Sequence, residues 1–483
     1  MLRQRQRRRL AGVLVGLRCG GASSEDDGGV AIVESEAVEV ALPAALAALQ
    51  PEGQDTLVIR AATADDINTL DIVTNYGFAS PGSRSEILER DIPEDPRTDS
   101  DATWGAFVGE RAVSQLLAHP WALGGGASCK VAAVSGVGTL PEFRRLGLLR
   151  SMMSLLFKDM MEKGQALAAL GATQAAIYQR YGYAEAVRDE KSYTVDPVDI
   201  AFVDGDGGSC IVTRHEPSPE LEPVLKPLYE QFIEGRACAY GWGEASDWSS
   251  AHAVVTSEGD DDRPWMSDDP QPYVAVATDA SGEPCGYMIY TTGSNHDEGT
   301  HPTRFQRIAV REIIYSTLDA YRSFWSFLKT HDLVGEVKMR SLPSDDPAPN
   351  IFLEPRLLRP TVSEGSWWRI VDVVGALEGR SYRTELGDSL VLEVKDDERL
   401  APWNTGSWTL QIASDGSATL SKASPGAAEI SVGIAELTSL WSGAVSAAQL
   451  HSWGMLEAAD EKALAKADYM LATGKQPWCC DGW

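Results

Sequence analysis

Residues 131–183 read VAAVSGVGTLPEFRRLGLLRSMMSLLFKDMMEKGQALAALGATQAAIYQRYGY, a strand, a basic glycine-containing turn, a helix, a second strand and an aromatic turn. The first strand, centred on Val134 to Leu140, ends at Pro141, which cannot donate to a β ladder. Leu148, Leu149, Met152, Met153, Leu155, Leu156 and Met160 recur at i, i+3, i+4 spacing and predict a helix that stops at Gly164.

A strand that feeds a helix through such a turn leaves the first helical N–H groups unpaired at the positive end of the helix dipole. Gly147 lets a ligand approach the main chain, and Arg144 and Arg145 add positive charge, so one guest for the turn is a pyrophosphate. The residues alone also allow an ordinary strand-to-helix turn with a surface arginine pair.

RRLGLL followed by AALGATQAAIYQRYGYAEA resembles the coenzyme A turn and following strand of the GNAT acetyltransferase superfamily, whose pattern is R/Q-x-x-G-x-G/A. Arg144 and Gly147 match that pattern, and Leu149 stands where Gly or Ala is usual. RRLGLLR and IYQRYGY further resemble the enhanced intracellular survival (Eis) type of aminoglycoside and lysine N-acetyltransferase, and the resemblance runs from about Thr56 to the last residue. It implies an α/β (α+β) fold of tandem GNAT domains, the second degenerate, closed by a sterol-carrier-protein-like domain.

The composition agrees with a chain of this kind. At 483 residues it is too long for one core and implies roughly two to four domains. The net charge of −28 repels nucleic acid and anionic membrane surfaces and attracts cations such as polyamines. Runs such as Asp260 to Asp262 and Asp345 to Asp346 are expected as solvated loops. Seven scattered cysteines without metal-ligand spacing argue for reduced thiols and imply neither a disulfide framework nor a structural metal. Cys479 and Cys480 read as packing residues.

Residues 1–54 are expected as an extension. The first 24 carry Arg3, Arg5, Arg7, Arg8 and Arg9, then a short apolar run from Leu10 to Leu17, so transit or export remains open beside a cytoplasmic location. No later stretch reaches transmembrane length. A catalytic GNAT domain is expected over 55–190, beginning with the strand Thr56 to Arg60 and a helix capped by Thr63 or Asp65. Trp104 to Val108 and Val113 to Leu117 read as strands, with Gly124 to Gly126 as a flexible return.

A second, degenerate GNAT domain is expected over 191–364. Its strands are Lys191 to Val195, Ile211 to His215, Tyr273 to Thr278, Gly286 to Thr292 and Phe305 to Val310, with helices at Leu221 to Ile233 and Ile314 to His331. It has no counterpart of the RRxGxx turn, and the resemblance implies no coenzyme of its own. Residues 365–474 form the sterol-carrier-like domain, in which Trp367 and Trp368 are expected to pack rather than face lipid. The tail 475–483 ends in Trp483, an aromatic terminus expected to anchor its α-carboxylate in an apolar pocket.

For acetyl transfer to an amine, backbone N–H groups of Val137, Gly138 and Thr139 can polarise the thioester carbonyl. Arg144, Arg145, Leu146, Gly147, Leu148, Leu149 and Arg150 would hold the pyrophosphate, and Thr173 and Gln174 the pantetheine side. The resemblance places the general acid on Tyr178 and the general base on the carboxylate of Trp483, with Asp481 as an alternative acid near it. A phenol of pKa about 10 protonates a coenzyme thiolate of pKa about 8.5 only when positioned. Tyr181 and Tyr183 are then packing residues, no His or Glu stands in a spacing that proves a base, His119 reads equally as a strand-end surface residue, and Tyr76 and Phe78 wall the acceptor pocket by analogy.

The co-substrate implied is acetyl-CoA and the acceptor a primary amine, whether aminoglycoside, polyamine or lysine side chain. No metal, nucleic acid or membrane partner is implied, and the family suggests a homo-oligomer, a hexamer. Two other readings stand beside this one. One is a non-catalytic binding or scaffold protein retaining the fold. The other is a longer-chain N-acyltransferase, because N-myristoyltransferases also combine two GNAT domains with a terminal carboxylate.

Overall fold

A computed structural model describes residues 37–48, 50, 56–79, 103–242, 251–256, 272–294, 303–382, 388–424 and 426–479. The chain divides into two compact units, one of Met1–Leu117 with Gly136–Met152, the other of Ala118–Ser135 with Met153–Trp483.

In the first unit, β1 (Val38–Ala41), β2 (Thr56–Ala61), β3 (Trp104–Val108) and the first part of β4 (Arg111–Ala122) run antiparallel in that order. β1 lies inside the segment expected as an extension. Leu57 and Ile59 of β2 are fully buried while their neighbours face outward, the period-two alternation of a strand covered on one face. The helix Ile67–Phe78 buries Leu70 and Val73. Its expected cap is not used. A 3₁₀ turn, Ala64–Asp66, precedes it, and the Asp66 carboxylate accepts from Thr63 N and Oγ1 at 2.8 Å and from both Arg60 terminal nitrogens. Burial opposes ionisation there, but these hydrogen bonds outweigh it and hold the Asp66 pKa down at about 2.

The second unit holds three sheets. In the first of them, Lys130–Ala133 of β5 (Lys130–Thr139) pairs in parallel with β6 (Gln165–Leu170), which is followed in sequence by β7 (Ala184–Glu185). Next come β8 (Glu190–Val195), β9 (Ile211–His215), β10 (Pro272–Thr278), β11 (Pro284–Ser294), β12 (Gln306–Tyr315), β13 (Val334–Leu342) and β14 (Thr361–Ser363). These seven form a sheet ordered β14-β8-β13-β12-β11-β10-β9. Successive residues of β11 serve two cores, Met288 and Tyr290 facing the helix Leu318–Lys329, and Tyr287 and Ile289 facing the helix Glu222–Ile233. Finally β16 (Ser389–Lys395), β17 (Gly406–Ile412), β18 (Ala418–Lys422), β19 (Ile430–Gly433) and β20 (Leu456–Ala458) make a sheet ordered β18-β17-β16-β19-β20.

Four sequence expectations are corrected. The stretch from Ile314 is strand as far as Tyr315, and the helix starts only at Leu318, because Thr317 caps it by accepting from Ala320 N at 3.1 Å. Of Asp345 and Asp346, the first is exposed as expected and the second is not. Asp346 is 2% exposed and accepts from the Tyr193 and Tyr321 hydroxyls, while Asp345 pairs with Arg236. Asp260 to Asp262 lie outside the described residues. The strand β15 (Trp367–Ile370), which opens the segment assigned to the third domain, belongs to the first domain's sheet, antiparallel to both β6 and β7. Both tryptophans pack: Trp368 is fully buried and stacks 6.3 Å from Trp441.

The fourth correction concerns Gly124 to Gly126, which is wedged rather than flexible. Gly124 N donates to Ala239 O, Gly125 O accepts from Gly235 N, and Gly126 O accepts from Ser381 Oγ. Ser128 N donates to Gly379 O, so one hairpin grips both the second and the third domain. Gly125 has φ +69°, and a Cβ there would press on the carbonyls of Arg236 and, at 2.8 Å, Ile233.

Arg369 of β15 is fully buried, donates to the carbonyl of Tyr181, and forms a bidentate pair with Asp396 at 2.8 and 3.0 Å. The third domain thereby fixes the aromatic turn of the first. Arg369→Met removes the cation and leaves the buried Asp396 carboxylate unpaired, an expected loss of about 3–5 kcal/mol, to be read as a lowered midpoint of thermal unfolding. Gly125→Ala is expected to lower that midpoint too, by strain plus overpacking of about 2–4 kcal/mol. Gly205→Ala, at φ +75° with nothing near its Cβ, is the control and costs about 1 kcal/mol.

Candidate active site

The turn after β5 is built from the first unit. A 3₁₀ turn, Pro141–Phe143, buries the Phe143 ring and leads into two exposed arginines. Arg144 Nε donates back to Thr139 O at 3.1 Å, and Arg145 takes φ +66°, a left-handed conformation that L side chains rarely adopt. Gly147 follows at φ +84° with open space where a Cβ would stand. The helix Leu148–Glu162 starts there, and Ser151 N donates to Gly147 O at 3.1 Å. The N–H groups of Leu148 and Leu149 precede that bond and have no intrahelical acceptor. Leu148 is buried and Leu146, Leu149 and Arg150 are half-buried.

Side chains of β4 hold the strand beneath the turn. Ser114 Oγ donates to Gly138 O at 2.9 Å and lies 2.7 Å from Thr139 Oγ1, and Gln115 Nε2 donates to Gly136 O at 3.1 Å and to Thr74 Oγ1. Gln115 thus ties the helix Ile67–Phe78 to the strand carrying Val137, Gly138 and Thr139. Tyr76 and Phe78 near the end of that helix are 60% and 49% exposed, large apolar rings open to a ligand. Sequence reasoning missed Ser114, Gln115 and the Arg111–Glu142 ion pair of 2.8 Å beside the turn, because each acts on a partner distant in the chain.

In the second unit, Thr173 and Gln174 are exposed at the end of β6, and Gln174 O accepts from Ile177 N to open the short helix Ala175–Tyr178. Tyr178 is 6% exposed. Its ring meets Tyr183 edge-on at 6.0 Å, and Tyr183 packs 6.4 Å from Phe157. Burial, and then the neighbouring Tyr181, raise the Tyr178 pKa, so the phenol stays protonated throughout the neutral range. Tyr181 and Tyr183 are buried, as packing residues should be. Trp483 and Asp481 lie outside the described residues.

Among the described residues, the second domain has no arginine–glycine turn of this type. Its corresponding helix begins at Leu318 with Asp319 in the first turn, and that carboxylate accepts from Ser209 N, Ser209 Oγ and Cys210 Sγ. That first turn already carries its own negative charge, which opposes a phosphate there. Among the described residues no cluster of His, Cys, Asp and Glu is arranged to hold a metal ion, and no helix is long and apolar enough to cross a membrane.

Comparison with known proteins gives this geometry a family. Acetyltransferase (GNAT) domains match residues 58–186 and 251–370, and a sterol carrier protein domain matches residues 373–480. An uncharacterised N-acetyltransferase of Streptomyces avermitilis is 32% identical over 435 residues, 88% of this chain and 97% of the relative. The N-acetyltransferase Eis of Mycobacterium tuberculosis is 29% identical over 351 residues, 71% of this chain and 78% of that protein. Among solved structures, Eis1 from Mycobacterium abscessus shares the fold with a TM-score of 0.66 at 23% identity, covering 88% of this chain and all of that one. A GCN5-related N-acetyltransferase from Anabaena variabilis does so with a TM-score of 0.68 at 22% identity and the same coverage. With two GNAT domains, a sterol carrier protein domain and a basic glycine turn ahead of the helix Leu148–Glu162, the chain belongs to the GNAT N-acetyltransferases, whose domains imply the use of acetyl-CoA.

Proposed function

We propose that this enzyme transfers the acetyl group of acetyl-CoA directly to a primary amine of an aminoglycoside, a polyamine or a lysine side chain. Tyr178 is the general acid and the α-carboxylate of Trp483 the general base. The observation that carries the reading is the place of Tyr178, a buried tyrosine closing the short helix that follows β6, the strand after the coenzyme turn.

The roles follow from the chemistry. Arg144 to Arg150 hold the pyrophosphate, and Thr173 and Gln174 take the pantetheine arm. Backbone N–H groups of Val137, Gly138 and Thr139 polarise the thioester carbonyl. The amine gives a proton to the terminal carboxylate and attacks the carbonyl carbon, so that an N–C bond forms. The C–S bond breaks as Tyr178 donates its proton to the departing sulfur. Tyr76 and Phe78 wall the acceptor site, and the net charge of −28 draws in a cationic acceptor.

The same reading makes the protein a cytoplasmic homo-oligomer, a hexamer as the family suggests. Exposed Trp453, Met455 and Tyr469 of the third domain supply apolar contact surface for it. Among the described residues Cys129, Cys210, Cys238 and Cys285 carry free thiols.

Release of free thiol from acetyl-CoA against a panel of amines tests the activity directly. Tyr178→Phe is expected to lower kcat by about 10²–10⁴-fold with coenzyme affinity unchanged, and equal loss of both would refute the acid role. Adding two glycines after Trp483 is expected to abolish transfer without affecting acetyl-CoA binding. Full activity in that extended chain would move the base elsewhere.

A further inference from the structure

Two buried side chains of β4 reach β5 at alternate carbonyls. Ser114 is fully buried and Gln115 is 2% exposed. Ser114 Oγ donates to Gly138 O at 2.9 Å, and Gln115 Nε2 donates to Gly136 O at 3.1 Å. Ser114 has a single proton to give, so its 2.7 Å contact with Thr139 Oγ1 is a bond donated by the threonine. The other amide hydrogen of Gln115 goes to Thr74 Oγ1. Gly136 takes φ +57°, and a Cβ on it would collide with Leu117 and meet Gln115 Nε2 at 3.3 Å.

Packing would be served by any buried hydrogen bond, and what sets these apart is the peptide units they hold. Gly136 C=O and Val137 N–H belong to one planar unit, Gly138 C=O and Thr139 N–H to another. No peptide bond among the described residues is cis, so within each unit the two groups point in opposite directions. A donor seated on the carbonyl from β4 therefore fixes the direction of the N–H on the other side and, by polarising the unit, strengthens its bond by about 10–30%. Leu140 N donates to Val113 O of β4 at 2.9 Å, and by the alternation of a strand the Gly138 N–H faces β4 with it. Of the three N–H groups assigned to the thioester, Val137 and Thr139 are thus the two turned away from β4. The pairing of β5 with β6 covers Lys130 to Ala133 and stops short of both.

We propose that Ser114 and Gln115 are positioning residues that aim and polarise the Val137 and Thr139 N–H groups toward the acetyl carbonyl oxygen, acting through the Gly138 and Gly136 carbonyls. The inference rests on that strand holding the thioester. Through Thr74, the Gln115 amide also sets the helix Ile67–Phe78, which carries Tyr76, against the same strand, where a Cβ on Gly138 would stand 3.2 Å from Val73. Negative charge grows on the carbonyl oxygen as the amine attacks, and donors already aimed there need no reorganisation to meet it.

The test reads the carbonyl itself. Acetyl-CoA labelled with carbon-13 at the carbonyl is bound to the enzyme without an acceptor amine, and its thioester stretch is followed by isotope-edited infrared spectroscopy, beside kcat and KM. The variants are Ser114→Ala and Gln115→Met, with Ser114→Thr as the conservative rescue. Tyr193→Phe, which deletes a buried hydroxyl bonded to Asp346 in the second domain, is the stability control. In the wild type the stretch is expected below its frequency in free acetyl-CoA. Ser114→Ala and Gln115→Met are expected to return it part of the way and to lower kcat about tenfold each, less than the about 10²–10³-fold of losing an oxyanion donor outright, with KM for acetyl-CoA unchanged. Ser114→Thr and Tyr193→Phe are expected to keep the wild-type stretch.

A wild-type stretch in Ser114→Ala and Gln115→Met overturns the inference whatever their kcat and marks the pair as packing. An equal change in Tyr193→Phe also overturns it. An unshifted stretch in the wild type takes the strand away from the thioester, and the inference with it, while release of thiol to an amine by that same enzyme leaves the acetyltransferase reading standing. Where the two variants do not fold, Ser114→Cys and Gln115→Glu, closest in shape, are read in the same way.

Discussion

The close approach of the hairpin Leu123–Cys129 to the main chain of two other domains is the constraint on which the second unit depends. Leu123 bridges Tyr240, Gly124 and Gly125 bond to the segment 235–239, and Gly126 and Ser128 bond to the segment 379–381. A Cβ would press on the Tyr240 carbonyl at Gly124 and on the Arg236 and Ile233 carbonyls at Gly125, and Gly126 at φ +86° faces the Ser381 hydroxyl, so each of the three positions favours glycine. Cys129 completes the contact. Its Sγ lies 3.5 Å from Gly375 O, and burial pushes its thiol up to about 12, so it is a packing group rather than a nucleophile.

The buried cations continue the same theme of one domain fixing another. Arg369 carries the third domain's charge pair to the carbonyl of Tyr181. Arg380, 6% exposed, donates to Leu471 O at the end of the last helix and follows the helix Val373–Glu378 directly. A guanidinium beside two helix C-termini meets their partial negative charge, which accounts for its burial without a carboxylate. Nearly all the chemistry assigned to this enzyme sits in the first domain and at the terminus, while the other two domains hold its parts in place.

Much of this was legible in the sequence, because the decisive features are local. The strand–turn–helix of residues 131–183 and the helix stop at Gly164 follow from periodicity and turn chemistry, and the packing of Tyr181 and Tyr183 from the family resemblance. The signals that failed were those whose meaning lies in a distant partner. Gly124 to Gly126 look like a flexible loop until the carbonyls that press on them are known. Asp346 looks solvated until Tyr193 and Tyr321 are placed beside it. Ser114, Gln115 and Arg369 carry no local mark at all. The boundary error at Ile314 is of another kind, since β-branched residues fit either element and only the Thr317 cap decides.

The strand β15 has a consequence for biosynthesis. It pairs with β6 and β7 from roughly 200 residues further along the chain, and such remote pairing is slow to form. The first domain's sheet therefore cannot be completed until the whole of the second has left the ribosome. Until then the edge of β6 is bare, a ladder of unpaired amides and carbonyls on a nascent polypeptide. This enzyme should lean on holdase chaperones during translation more than its tidy modular sequence would suggest.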